Sequence, residues 1–158
     1  MPWSLETRPP LPEGYKYIEL QDCSLPFGSN DARMNRYGLR DYFRFSQLED
    51  HLVILKINRE THANIGFQIE GVMEIIVRKR HIFIEKLVRN SVINIEGRVG
   101  FWLMALAENI ALWLRKPKIQ LYSLEQVVPW YSDLGYQPYG TAKDDDEFGT
   151  LVPMEKTL

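Results

Sequence analysis

The chain predicts an α/β (α+β) fold, with helices packed on a sheet, and three observations lead to it. Residues 52–57, then 65–69 running on to 72–77, then 82–88 are rich in β-branched residues and joined by short turns, which suggests an antiparallel meander. A long apolar run at 99–115 follows a glycine-containing turn and has the length of a helix. A further strand-like run at 119–122 comes after it, and a strand–helix–strand order implies a right-handed crossover.

Composition bounds the answer. A chain of 158 residues fits one domain, 1–158, that can bury a sizeable core, with an extended proline-rich segment over 1–14. The 45% apolar and 25% charged fractions are those of an ordinary globular protein. A net charge of -2 argues against a protein devoted to nucleic acid, although a local basic pocket for an anionic cofactor is compatible with it. Cys23 stands alone and has no partner for an internal disulfide, which fits a reducing compartment. The first residues lack the charged-then-apolar pattern of a signal peptide. The apolar stretch 99–114 is short for a membrane span and is interrupted by Glu108 and Asn109, so it reads as a buried helix of a cytoplasmic protein.

In chain order, Pro2, Pro9, Pro10 and Pro12 keep the start extended. Residues 15–20 alternate as a first strand. Asn30 or Asp31 is placed to cap a helix over 32–39, and a second short helix covers 42–48. A turn at 58–64 separates the first two strands of the meander. Arg78, Lys79, Arg80 and His81 form a polar hairpin tip before the strand 82–88. The helix from Val99 ends with Arg115 and Lys116 in its last turn and Pro117 beyond. A shorter helix covers 126–134, stops at Gly135, and tolerates Pro129 only in its first turn. Residues 136–139 and 150–155 look like a closing hairpin around the acidic loop 144–147.

The turn before the long helix carries chemical interest. The first backbone N–H groups of a helix have no partners and carry the positive end of its dipole, so they suit a phosphate or pyrophosphate. Gly97 and Gly100 let a ligand approach the backbone closely.

Trp130-Tyr131-Ser132-Asp133-Leu134-Gly135-Tyr136 resembles the F-Y-x-x-L-G-F signature of the GCN5-related N-acetyltransferase (GNAT) superfamily. The spacing from Ser123 through Val127 to Tyr131, together with Gly140 and the ending Met154-Glu155-Lys156, is also similar to that family. The resemblance covers roughly the last sixty residues by motif and the rest by element order. It implies a mixed, mostly antiparallel sheet splayed between its fourth strand, 82–88, and its fifth, 118–123. Acyl-CoA would lie in the gap, its pantetheine arm along Leu87 and Val88. The pyrophosphate would rest on the N–H groups of Arg98, Val99, Gly100, Phe101, Trp102 and Leu103. The family's Q/R-x-x-G-x-G/A loop is altered here. In one match Arg98 stands where the first glycine belongs and Ile95 where the Gln or Arg belongs. In the other, Asn94 and Gly97 take those places and Val99 replaces the second small residue. Arg98 could pair with a phosphate, or its side chain could crowd the cleft.

The implied reaction is acetyl transfer from acetyl-CoA to a primary amine, the acceptor being a small molecule or a peptide. The alternative is a non-catalytic module of the same fold that binds acyl-CoA or a protein partner. Tyr131 occupies the family's position for protonating the departing sulfur, and the backbone N–H near Val88 would serve the oxyanion. Glu85, on the fourth strand, is the candidate base, ranked ahead of His81. Strand alternation puts Glu85 on one face with Phe83 and Leu87, opposite Ile84, Lys86 and Val88. Arg33, Arg36, Arg40, Asp41 and Arg44 could select a charged acceptor. The acidic run at 144–147 lacks EF-hand spacing, and the histidines and cysteine lack zinc spacing, so no metal is expected. Surplus apolar area at Trp102 or Trp113 leaves monomer and homodimer both open.

Overall fold

The computed structural model describes residues 7–58, 66–95 and 97–158. Its strands are β1 (Tyr15–Tyr17), β2 (His51–Asn58), β3 (Gln68–Val77), β4 (Ile82–Arg89), β5 (Lys118–Leu124), β6 (Gln137–Pro138), β7 (Lys143–Asp145) and β8 (Gly149–Thr157). Three α-helices accompany them: α1 (Leu39–Ser46), α2 (Val99–Trp113) and α3 (Val128–Asp133). The sheet order is β1-β2-β3-β4-β5-β8-β6, with β7 also paired to β8. β1 to β4 pair antiparallel, as the meander predicts, and β4 pairs parallel with β5 across the α2 crossover.

The N-terminal third departs from expectation. Residues 32–38 form turns and no helix: the Asp31 carboxylate accepts the Arg33 N–H, as a capping residue does, and pairs with the Arg33 guanidinium, but the single turn it starts is not continued. The helix begins at Leu39, where the Asp41 carboxylate accepts the Gly38 N–H at 2.8 Å, and this single helix replaces the two expected. The strand expected over 15–20 stops at Tyr17, and a 3₁₀ turn follows at Leu20–Ser24. Runs 65–69 and 72–77 merge into β3 through Gly71; the turn expected over 58–64 lies almost wholly outside the described residues. The helix expected over 126–134 is a 3₁₀ turn, Glu125–Val127, followed by α3 with Pro129 in its first turn. The closing hairpin is tighter than expected, with β7 folded back onto the start of β8.

Each face of the sheet has its own core. Ile54, Met73, Ile75, Ile84 and Leu121 bury against Leu103, Ala107 and Ile110 of α2. Val53, Leu55, Val72 and Val88 pack on the other face with Leu39 and Tyr42 of α1. Gly71 sets the seat of α2, since a Cβ there would lie 2.7 Å from Val99 Cγ1 and 3.0 Å from the Val88 carbonyl oxygen. The first turn of α2 thereby sits on β3, beside the end of β4. Trp102, Leu112 and Trp113 remain 40%, 59% and 50% exposed, so the apolar helix is not buried all round. Among the described residues, no helix is long and apolar enough to cross a membrane.

Candidate active site

β4 and β5 are hydrogen-bonded only where residues 82–84 face 119–121, yet they continue to Arg89 and Leu124. Beyond that point they part, and a cavity of about 510 Å³ fills the gap. Leu87 and Val88 line it from β4, Leu121 and Ser123 from β5, and Tyr131 from α3. Met34, Tyr122, Lys143 and Phe148 line it as well.

A β-bulge organises the β4 wall. Glu74 faces Lys86 while the next residue, Ile75, faces Ile84, so Glu85 is the extra residue of β4. The bulge overturns the simple alternation expected here. Ile84 and Leu87 pack with the α2-side core, whereas Val88 packs with the α1-side core. Lys86 points to the α1 side too, its ammonium 4.9 Å from the ring centres of both Tyr37 and Phe45. Lys86 Nζ lies 3.5 Å from Glu74 Oε1 and 3.8 Å from Glu85 Oε1. His51 Nδ1 sits 2.7 Å from the other oxygen of the buried Glu74. Glu85 is thus partly exposed on the cleft wall, at the α1 side. His81 is elsewhere, in the turn before β4 and away from the opening, and burial with nearby Arg78 lowers its pKa.

Tyr131 enters from the other wall. Its ring meets Trp130 edge-on at 4.9 Å and Tyr136 at 6.0 Å. Burial pushes its pKa up to about 12, so the phenol is neutral and able to donate at neutral pH.

No family model matches the sequence, and no curated protein matches it. Solved structures do match. An acyl-CoA N-acyltransferase from Pseudomonas aeruginosa superposes with a TM-score of 0.55 at 16% identity, over 87% of this chain and 79% of its own. An aminoglycoside 6'-acetyltransferase type Ii gives 0.58 at 14% identity, over 75% and 76%. A Bacillus anthracis protein assigned as a streptothricin acetyltransferase, solved with acetyl coenzyme A, gives 0.56 at 16% identity, over 74% and 68%. The chain has the GNAT fold.

Within the GNAT fold, the residues expected at the cofactor divide into two groups. Leu87 and Val88 line the cleft, but none of residues 98–103 does. Val99 and Leu103 are core, Trp102 packs over Gly97, and Trp130 lies 3.4 Å from where a Cβ on Gly100 would be. The Arg98 guanidinium stacks on Phe101, 4.2 Å from its ring centre. Arg98, at the N-cap of α2, makes no side-chain capping bond. What this end of α2 can offer an anion is therefore backbone N–H groups.

Arg89, which lines the cleft, and Asn90 beside it are not singled out by the sequence. Arg89 donates to the carbonyls of Ile95, at 2.7 Å, and Gly97, at 3.4 Å, and so holds the loop before α2. Asn90 is fully buried and ties that corner to the N-terminal third, accepting the Gly28 and Val92 N–H groups and donating to Pro26 and Ile69 carbonyls. A polar residue directly after a strand is the one signal that could have pointed to it. Arg33 reaches the Phe148 carbonyl, and Arg36 pairs with Glu147, joining the segment over 29–36 to the β7–β8 turn. Asp145 caps that same turn by accepting the Glu147 and Phe148 N–H groups, which lowers its pKa. Among the described residues, no acidic, histidine or cysteine cluster suits a metal.

Proposed function

We propose that the chain is an acyl-CoA-dependent N-acetyltransferase that moves the acetyl group of acetyl-CoA to a primary amine. The observation that carries the reading is the parting of β4 and β5, with a protonated phenol, Tyr131, on one wall and a carboxylate, Glu85, on the other. The residues present fit acetyl-CoA: the opened β4 edge at Leu87 and Val88 accommodates an extended arm, and the α2 terminus, without a side-chain cap, presents N–H groups for phosphates. Acetyl-CoA supplies the activated acyl carbon. The Val88 N–H is turned to β3, where Val88 pairs with Val72 and the Asn90 N–H donates to the Glu70 carbonyl, so the neighbouring N–H of Leu87 or Arg89, turned to the opening, would serve the developing oxyanion. Glu85 accepts the amine proton, directly or through water, with the Lys86 ammonium 3.8 Å from its carboxylate. Tyr131 donates its proton to the departing sulfur and regains one from solvent. Arg98, parked on Phe101, leaves the phosphate site to the backbone N–H groups of Val99, Gly100 and Phe101; those of Trp102, which donates to the Arg98 carbonyl at 3.0 Å, and of Leu103 in the next turn are taken up within the helix, against the expectation.

Neighbours named for aminoglycosides and streptothricin support a small-molecule acceptor. Calorimetric titration with acetyl-CoA and with free CoA, followed by a thiol-release screen over amines, tests the reading. Tyr131→Phe is expected to keep acetyl-CoA binding and to lose about 10²-fold or more in kcat. Glu85→Gln is expected to lower kcat/KM by about 10²-fold or more while acetyl-CoA binding is kept, read in the same titration and thiol-release assay. Absence of acetyl-CoA binding at near-millimolar concentration would sink the proposal.

A further inference from the structure

The cleft contains two lysines among the described residues, and they are held in opposite ways. Lys86 is tied to Glu74 and stacked between Tyr37 and Phe45. Lys143, on β7, enters no ion pair among the described residues; its ammonium stands over Tyr122, 4.5 Å from the ring centre. Tyr122 projects from β5 to the same side as Phe83 of β4, the two rings meeting edge-on at 5.6 Å. That is the α1 side of the opening, where Glu85 also lies, and Tyr131 lines the same cavity. A cation over an aromatic face is attracted weakly by the ring quadrupole, which biases the amine toward this place without locking it there. The three-residue strand that carries Lys143 lies between Gly140 and Gly149, both at positive φ with open space where a Cβ would be.

We propose that Lys143 is a self-acetylation site, its own amine occupying the acceptor side of the cleft. The inference rests on the acetyltransferase reading. The Lys143 ammonium first gives a proton to Glu85 or to water. Its nitrogen lone pair then forms an N–C bond at the thioester carbonyl carbon, and the C–S bond breaks. The thiolate leaves with a proton from Tyr131. Acetyl-CoA is consumed, CoA is released, and nothing is oxidised or reduced. The amide product carries no charge, so it loses its attraction to Tyr122 and exposes that ring to the cation of an incoming acceptor.

The test incubates the purified full chain with acetyl-CoA and no added amine, reads intact and peptide masses, and titrates acetyl-CoA separately by calorimetry. One acetyl group per chain is expected, on Lys143, at a rate per chain unchanged on dilution and slowed by Tyr131→Phe. Lys143→Arg is expected to abolish the modification and keep acetyl-CoA binding. If acetyl-CoA binds and an added amine is acetylated while Lys143 stays unmodified, the inference fails and the enzyme reading stands. Label spread over surface lysines in proportion to exposure would be uncatalysed thioester chemistry and would also overturn it. Absence of acetyl-CoA binding removes both.

Discussion

Tyr131, Tyr136 and Tyr42 show how one side-chain type takes different roles. The Tyr131 phenol faces the cleft, and its burial keeps it protonated and useful as a donor. Tyr136 and Tyr42 bury their hydroxyl groups with no hydrogen-bond partner among the described residues. An unmet buried hydroxyl costs about 1–3 kcal/mol, although the ring around it gains by burial. Tyr42→Phe and Tyr136→Phe are therefore expected to leave stability unchanged or raise it by up to about 1 kcal/mol, read as the midpoint of urea unfolding. A loss above about 1 kcal/mol would mean that the hydroxyl groups are hydrogen-bonded in solution. Tyr131 was legible in the sequence because its neighbours Trp130, Leu134 and Gly135 spell a recognisable turn of helix. Asn90 was not, since three of its four partners, Pro26, Gly28 and Ile69, come from two distant stretches of chain.

At the scale of elements, Gly71 and Glu85 place the two ends of the site. Gly71 lets the first turn of α2 approach β3, and that approach sets the helix N-terminus beside the end of β4. Gly71→Ala is expected to cost about 1–3 kcal/mol, because both Val99 and the Val88 carbonyl oxygen must retreat. It should also weaken acetyl-CoA binding, since the α2 terminus moves with Val99; thermal unfolding and calorimetry read the two effects. The bulge at Glu85 turns Lys86 and Val88 to the α1 side. Alternation along β4 alone put them opposite Glu85 on a regular strand. A bulge is a property of two strands in register, and the β4 sequence holds only one of them. The helix expected over 32–39 does not form although Asp31 makes its capping bond to the Arg33 N–H, because the chain after that one turn does not go on to a second before α1 begins at Leu39.

For the whole molecule, the buried phenols give stability a pH signature. Burial raises the pKa of Tyr17, Tyr42, Tyr131 and Tyr136 above their ordinary value. Above about pH 10 the unfolded chain releases these protons while the folded chain still holds them, so the free energy of unfolding falls as pH rises. Their contribution is fully present below about pH 10 and is lost progressively above it. Urea midpoints are expected to hold between about pH 8 and pH 9 and to fall steeply from pH 10 to pH 11. Tyr17→Phe should flatten that fall, unless breaking its bond to the Pro9 carbonyl costs more.

The sequence by itself determined the meander, the long apolar α2, the crossover to β5 and the Tyr131 turn. Each rests on local periodicity or on residues that are neighbours in the chain. Tertiary structure decided which side of the sheet Glu85 serves, what holds the loop before α2, and that Lys143 reaches the cleft. Those depend on register, on Arg89 and Asn90 bonding across the fold, and on β7 folding back onto β8. Contacts between distant segments appear only when the chain closes on itself, and no spacing along one strand or helix encodes them.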